Sequence, residues 1–154
     1  MISDDIRKVL LAGDKIGGAN CHKTALFLAG RYSQEQLFSP DNDNPETAGH
    51  ADIEANSIIY TDPTVFPASL GEKRFPYRVS FFKLRGDKYF AYHSMMVLGV
   101  TNKGNVVGFE KAGPYADNPF RYINVTKEIT DYLLNGYIAG LEKQSDVQQF
   151  ARLQ

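Results

Sequence analysis

The chain has 154 residues, 43% of them hydrophobic and 23% charged, with a net charge of −1 at neutral pH. That suits one soluble globular domain spanning residues 1–154 and long enough to bury a core. The balanced charge, without a basic run or an RNA-binding signature, points away from nucleic acid, and no apolar run approaches the ~18 residues that cross a membrane.

Taken in order, Ser3 is placed to cap a first helix, with Ile6, Val9 and Leu10 as its apolar stripe and Ile2 as a further candidate for it, and Gly13 stops it. Residues 14–19 read as a Gly-rich loop. Asn20 is a good N-cap for a second helix whose Cys21, Ala25 and Leu28 share one buried face, and Gly30 ends it. Residues 31–76 are polar and irregular, with turn chemistry through Pro40-Asp41-Asn42-Asp43-Asn44-Pro45 and one short strand at 57–61. This stretch is expected to be a loop covering one side of a site.

The second half reads as an antiparallel meander with strands at 77–84, 89–100, 106–111 and 121–125. The turns are Arg85-Gly86-Asp87-Lys88 and Thr101-Asn102-Lys103-Gly104-Asn105. Nine Tyr and ten Phe with no Trp suit a sheet-rich core. Thr126 is then expected to cap a helix through about Leu141, and 145–153 is a short amphipathic tail. Helices first, then antiparallel strands, then a helix make an α+β fold.

The chain's single cysteine, Cys21, stands where the loop enters the second helix. A helix start favours an anion through its unpaired N–H groups and the positive end of its dipole, and the thiolate is the nucleophilic form of cysteine. His93, on an expected strand, is a candidate base. Glu110, on the next strand of the hairpin, shares a face with His93 if the register allows, and would fix the imidazole tautomer and stabilise its charged form. For the oxyanion, the backbone N–H of Cys21 is one candidate donor and the Asn20 side chain another.

The residues Asn20-Cys21 at a helix start, His93-Ser94 running into Val97-Leu98-Gly99, and Val107-Gly108-Phe109-Glu110-Lys111-Ala112-Gly113 resemble the papain-like superfamily, including its NlpC-type amidase branch. The resemblance spans roughly residues 14–113. It implies a helix packed on an antiparallel sheet, with Cys21 as nucleophile, His93 as base and Glu110 as orienting residue. The chain departs from that pattern where papain-like proteases carry a Gln before the cysteine, since Lys15 occupies the stretch. It also lacks the usual Trp after the cysteine and has Glu where Asn, Asp, His or Gln is commoner. Asp117 and Asn118 are alternatives to Glu110.

The expectation is therefore a papain-like α+β domain, N-terminal helices on an antiparallel sheet with a C-terminal helix. It would cleave or transfer an amide-linked acyl group through a Cys-His-Glu triad and an acyl-enzyme. Peptidase, amidase, deamidase and acyltransferase remain open, on peptide, protein or peptidoglycan-type amides. The alternative is a papain-like interaction domain without activity. No cofactor is expected. His22, His50, Asp52, Asp62 and His93 match no zinc-ligand spacing, and Gly17-Gly18 lacks the rest of a phosphate-binding loop. One cysteine excludes an internal disulfide, and the acidic start lacks the features of a signal peptide. The expected location is cytoplasmic, or exported without a cleavable signal, as for a bacterial effector.

Overall fold

The computed structural model describes residues 2–13, 19–39, 48–66 and 74–143. The Gly-rich loop with Lys15, the proline-bounded turn and the amphipathic tail lie outside the described residues. Helix α1 (Ile2–Ala12) leads to α2 (Cys21–Leu28), α3 (Gln34–Leu37) and α4 (His50–Ala55). Strands β1 (Ser57–Tyr60), β2 (Tyr77–Arg85), β3 (Lys88–Val100), β4 (Val106–Lys111) and β5 (Phe120–Asn124) follow, then helix α5 (Val125–Leu134) and strand β6 (Ile138–Glu142). The six strands form one antiparallel sheet in the order β1-β6-β2-β3-β4-β5.

The sheet separates two apolar layers. On one face Val79, Phe81, Met95, Val97 and Leu141 meet Ile129, Tyr132 and Leu133 of α5. On the other, Met96 and Phe109 meet α1, α2 and α3, while Phe82 and Ala91 meet Leu26 and Ile53. Strand side chains alternate between faces, so His93 and Phe81, paired across β2 and β3, belong to the α5 side. The next pair after Phe81–His93 is Phe82–Ala91, which makes Tyr92 an extra residue in β3. This bulge turns Ala91 toward α2 without disturbing His93.

Helix α2 is buried along its whole length, Lys23 included. A single buried face was the expectation, but the helix is enclosed by the sheet and by neighbouring helices and has no solvent side. It ends as expected at Gly30, where φ is +78°. Gly30 N–H donates to Phe27 O and Arg31 N–H to Leu26 O, a Schellman closure that needs this left-handed backbone.

Three expectations are corrected. Leu10 does not join the buried stripe of α1; it is exposed, and Ile2, Ile6 and Val9 make the contact with α2. Residues 31–76 contain α3, α4 and β1, so the stretch is not one covering loop. The helix expected over 126–141 is capped by Asn124, whose side chain accepts from Lys127 N–H, and it stops at Leu134. Asn135 and Gly136 then close it, Gly136 N–H donating to Leu133 O and Tyr137 N–H to Tyr132 O. The chain returns as β6 between β1 and β2. A C-terminal strand in mid-sheet thus replaces the expected terminal part of that helix. Among the described residues no helix is long and apolar enough to cross a membrane.

Candidate active site

Cys21 is the first residue of α2. Asn20 caps the helix, its Oδ1 accepting from Lys23 N–H at 2.8 Å, while its Nδ2 donates to Ala48 O at 2.8 Å. The Asn20 amide thus ties the helix start to the loop before α4. The bond to Ala48 O uses one of the two Nδ2 hydrogens, and the backbone N–H of Cys21 is the other candidate oxyanion donor at the helix mouth.

β4 pairs with β3 only from Met96 to Val100, so β3 runs on past the end of β4 through His93. The start of α2 meets β3 in this stretch, and Cys21 and His93 come within hydrogen-bonding reach. His93 Nε2 lies 2.6 Å from Glu110 Oε1, which leaves Nδ1 as the ring nitrogen for the sulfur. Glu110 pairs across the strands with Arg121, whose Nε and Nη2 donate to Glu110 Oε2 at 2.9 and 2.8 Å. Glu110 is 2% exposed, and each of its oxygens has a cationic or polar partner.

The electrostatics follow from this packing. Burial alone would raise the Cys21 thiol; the charges of His22 and then His93, with hydrogen bonding to both, outweigh it and hold the thiol well below its ordinary value. Burial alone would lower His93, but the Cys21 charge, a hydrogen bond to Cys21 and the Glu110 carboxylate raise it to about 10. Burial likewise opposes the Glu110 charge, and His93 and Arg121 overcome it and lower its carboxyl. The pair therefore favours thiolate and imidazolium, a nucleophile with its proton donor alongside.

Of the alternatives to Glu110, Asn118 is engaged in the turn after β4, its Oδ1 accepting from Tyr115 N–H. Arg121 was not anticipated. Its signal was the strand register, which sets a basic residue opposite an acidic one. Also unanticipated was a buried polar chain under the site. His22 Nδ1 lies 2.8 Å from Ser94 Oγ, Ser94 Oγ lies 2.6 Å from Ser80 Oγ, and Arg78 Nη1 donates to Ser80 Oγ at 2.6 Å. Tyr132 of α5 was likewise read only as part of a helix pattern, yet its ring stacks on His93. No three His, Cys, Asp or Glu side chains converge as a metal site among the described residues.

No family model, curated protein or solved structure matches the chain.

Proposed function

We propose that this chain is a papain-like cysteine hydrolase or acyl-transfer enzyme acting on an amide bond. The observation behind the reading is the sequence of contacts Cys21–His93–Glu110–Arg121 at a helix start. In the reaction, the Cys21 thiolate attacks the amide carbonyl carbon, and the carbonyl electrons move to oxygen beside the Cys21 backbone N–H. His93 gives its proton to the leaving nitrogen, the C–N bond breaks and a thioester remains. His93, again a base, takes a proton from water or from an acceptor amine as it attacks the thioester. The C–S bond breaks and the thiolate returns. Glu110 keeps its hold on Nε2 throughout, so that Nδ1 faces the sulfur.

The test is the pH dependence of alkylation by iodoacetamide, which reports Cys21 alone because the chain has one cysteine. Labelling is expected to be fast well below the ~8.5 of a free thiol. His93→Ala is expected to move the midpoint upward. Labelling only at alkaline pH in folded protein overturns the reading and leaves the alternative of an interaction domain. On a substrate found by screening amides, Cys21→Ala is expected to abolish turnover with the fold intact.

A further inference from the structure

Beside His93, on the α5 side of the sheet, lies a cleft of about 440 Å³ lined by Tyr92, Tyr132, Tyr137, Lys83, Glu128 and Asp131, among others. It adjoins the reacting groups. Tyr92 is the bulged residue preceding His93, Tyr132 is stacked on the imidazole, and the Cys21 charge is felt at both phenols. We propose that this cleft binds a cationic group of the substrate, an ammonium or guanidinium carried near the amide that Cys21 attacks. The proposal rests on the hydrolase reading above and adds a substrate class to it.

Two independent features select a cation. The aromatic walls already hold one: Lys83 Nζ lies 4.4 Å from the Tyr137 ring centroid and 5.7 Å from that of Tyr92. The faces of these rings are negative and attract positive charge. The second feature is the α5 wall, where Glu128 and Asp131, three positions apart, fall on one side of the helix. No ion pair of the described residues engages either carboxylate. With Lys83 set against the two acids, the lining keeps one net negative charge. An anionic ligand would meet both carboxylates and would have to draw Lys83 from its rings. An aliphatic ligand would leave two carboxylates partly dehydrated with nothing in return. A cation gains from both walls.

The test uses three methanethiosulfonates of the same reactive group: a neutral methyl reagent, one with a trimethylammonium head and one with a sulfonate head. In each case the Cys21 thiolate attacks the sulfenyl sulfur, a mixed disulfide forms, the S–SO2 bond breaks and methanesulfinate leaves. Rates are followed by mass spectrometry on the full chain, each divided by the rate on 2-mercaptoethanol. The cationic reagent is expected to outpace the anionic one. Glu128→Gln with Asp131→Asn should cut that ratio by about threefold or more, as expected for a full charge a few ångströms away near a wet surface. Lys83→Met should raise it, each charged reagent being read against the neutral reagent on the same protein so that a general change in thiol reactivity cancels. A ratio indifferent to both variants overturns the cationic subsite while leaving the thiol reading intact. A wild-type preference for the anionic reagent that vanishes in Lys83→Met overturns it in favour of an anion site. Failure of the neutral reagent to label native protein at neutral pH overturns the hydrolase reading itself.

Discussion

Tyr132 lies flat on His93, with ring centroids 5.5 Å apart and planes 13° from parallel. The same phenol stacks on Phe81 at 4.2 Å, so the imidazole and its cross-strand neighbour share one aromatic cover from α5. A π face over an imidazolium favours the charged form. The Glu110 bond fixes one edge of the ring, and this stack fixes its plane.

Replacing Tyr132 by Phe keeps the face and should leave the alkylation midpoint of Cys21 nearly unchanged. Tyr132→Ala removes it. A loss of about 0.5–1.5 kcal/mol of imidazolium stabilisation corresponds to at most about one pH unit. The thiol midpoint should move up by that amount as its counter-ion weakens. The measurement is the paired pH profile of the two variants, with urea unfolding to record the separate cost of the lost packing. Equal profiles for Phe and Ala would remove Tyr132 from the electrostatics of the site.

Acid should find Glu110. Its carboxyl is held below its ordinary value in the fold, so its contribution to stability is complete above the unfolded carboxylate value of ~4.3 and is lost as pH falls through the folded one. The wild-type unfolding free energy should therefore decline below about pH 5, and Glu110→Gln should decline less steeply there. At neutral pH the same variant should be the less stable, because a buried charge-assisted pair with His93 has been weakened. Chemical unfolding at several pH values reads both effects. Parallel curves for the two proteins would mean that Glu110 does not titrate with folding.

The polar chain beneath the site yields a different signature. Arg78 is fully buried and donates to Ser57 Oγ, Ser80 Oγ and Asn56 O. Arginine can only donate, and the two serine hydroxyls link it to the His22 imidazole. Arg78→Met fills much of the space but strips these donors and leaves Glu142, itself buried, without the guanidinium that attracts it. Breaking a buried charged contact from one side costs about 3–5 kcal/mol. The urea midpoint should fall with the slope unchanged, and Cys21 labelling should slow through the loosened His22. Ser94→Ala should show the second effect with only about 1–3 kcal/mol of the first.

Much of this was written locally in the chain. The cap at Asn20, the stop at Gly30 and the hairpin turns at Gly86 and Gly104 depend on neighbours in sequence, and so did the boundaries of β2, β3 and β4. The hairpin put His93 and Glu110 on neighbouring strands, and the register that brings them together is seen in the fold. β6 was hidden because Ile138-Ala139-Gly140-Leu141 carries no alternation of its own, both faces of a central strand being buried. Its Gly140 is a matter of space, since a Cβ there would meet Phe82 Cε2 at 2.7 Å and Ile58 O at 3.1 Å. Asn135-Gly136 carries the chemistry of a helix stop, and the helix expected through Leu141 ran past it. Arg78 lies within an expected strand with nothing local to mark it as buried, and only the fold shows what surrounds it.

Gly108 offers a check on how tightly the sheet positions the site. It lies two residues before Glu110, and a Cβ on it would come within 2.7 Å of both Met96 O and Val125 Cγ2. One of those contacts is backbone, so β4 itself must move away from β3 or α5 must lift. Gly108→Ala should cost about 1–3 kcal/mol, the usual range for overpacking. It should also raise the Cys21 labelling midpoint, because displacing β4 lengthens the Glu110–His93 bond. Gly104→Ala, at a turn with φ of +81° and open space around it, should cost stability without moving that midpoint. The comparison separates strain near the site from strain elsewhere.

The sharpest expectation concerns Arg121 acting through Glu110. In Glu110→Gln the new amide has one oxygen and one nitrogen to offer two neighbours. Arg121 only donates, so the Gln oxygen turns toward it and the Gln NH2 faces His93 Nε2. That nitrogen must then accept, the imidazole proton moves to the sulfur side, and the charged ring loses its partner. Turnover and low-pH labelling should both fall, the former by about 10²–10⁴-fold if positioned acid–base transfer is lost. Removing Arg121 as well releases the amide to flip and offer its oxygen to Nε2. Glu110→Gln with Arg121→Ala should thus label faster at pH 6 than Glu110→Gln alone, although Arg121→Ala by itself, breaking a half-exposed pair, should change stability by only about 0–1 kcal/mol. Additive losses in the double variant would show that Arg121 does not set the orientation of residue 110, and that the guanidinium is a surface charge with no part in fixing the histidine.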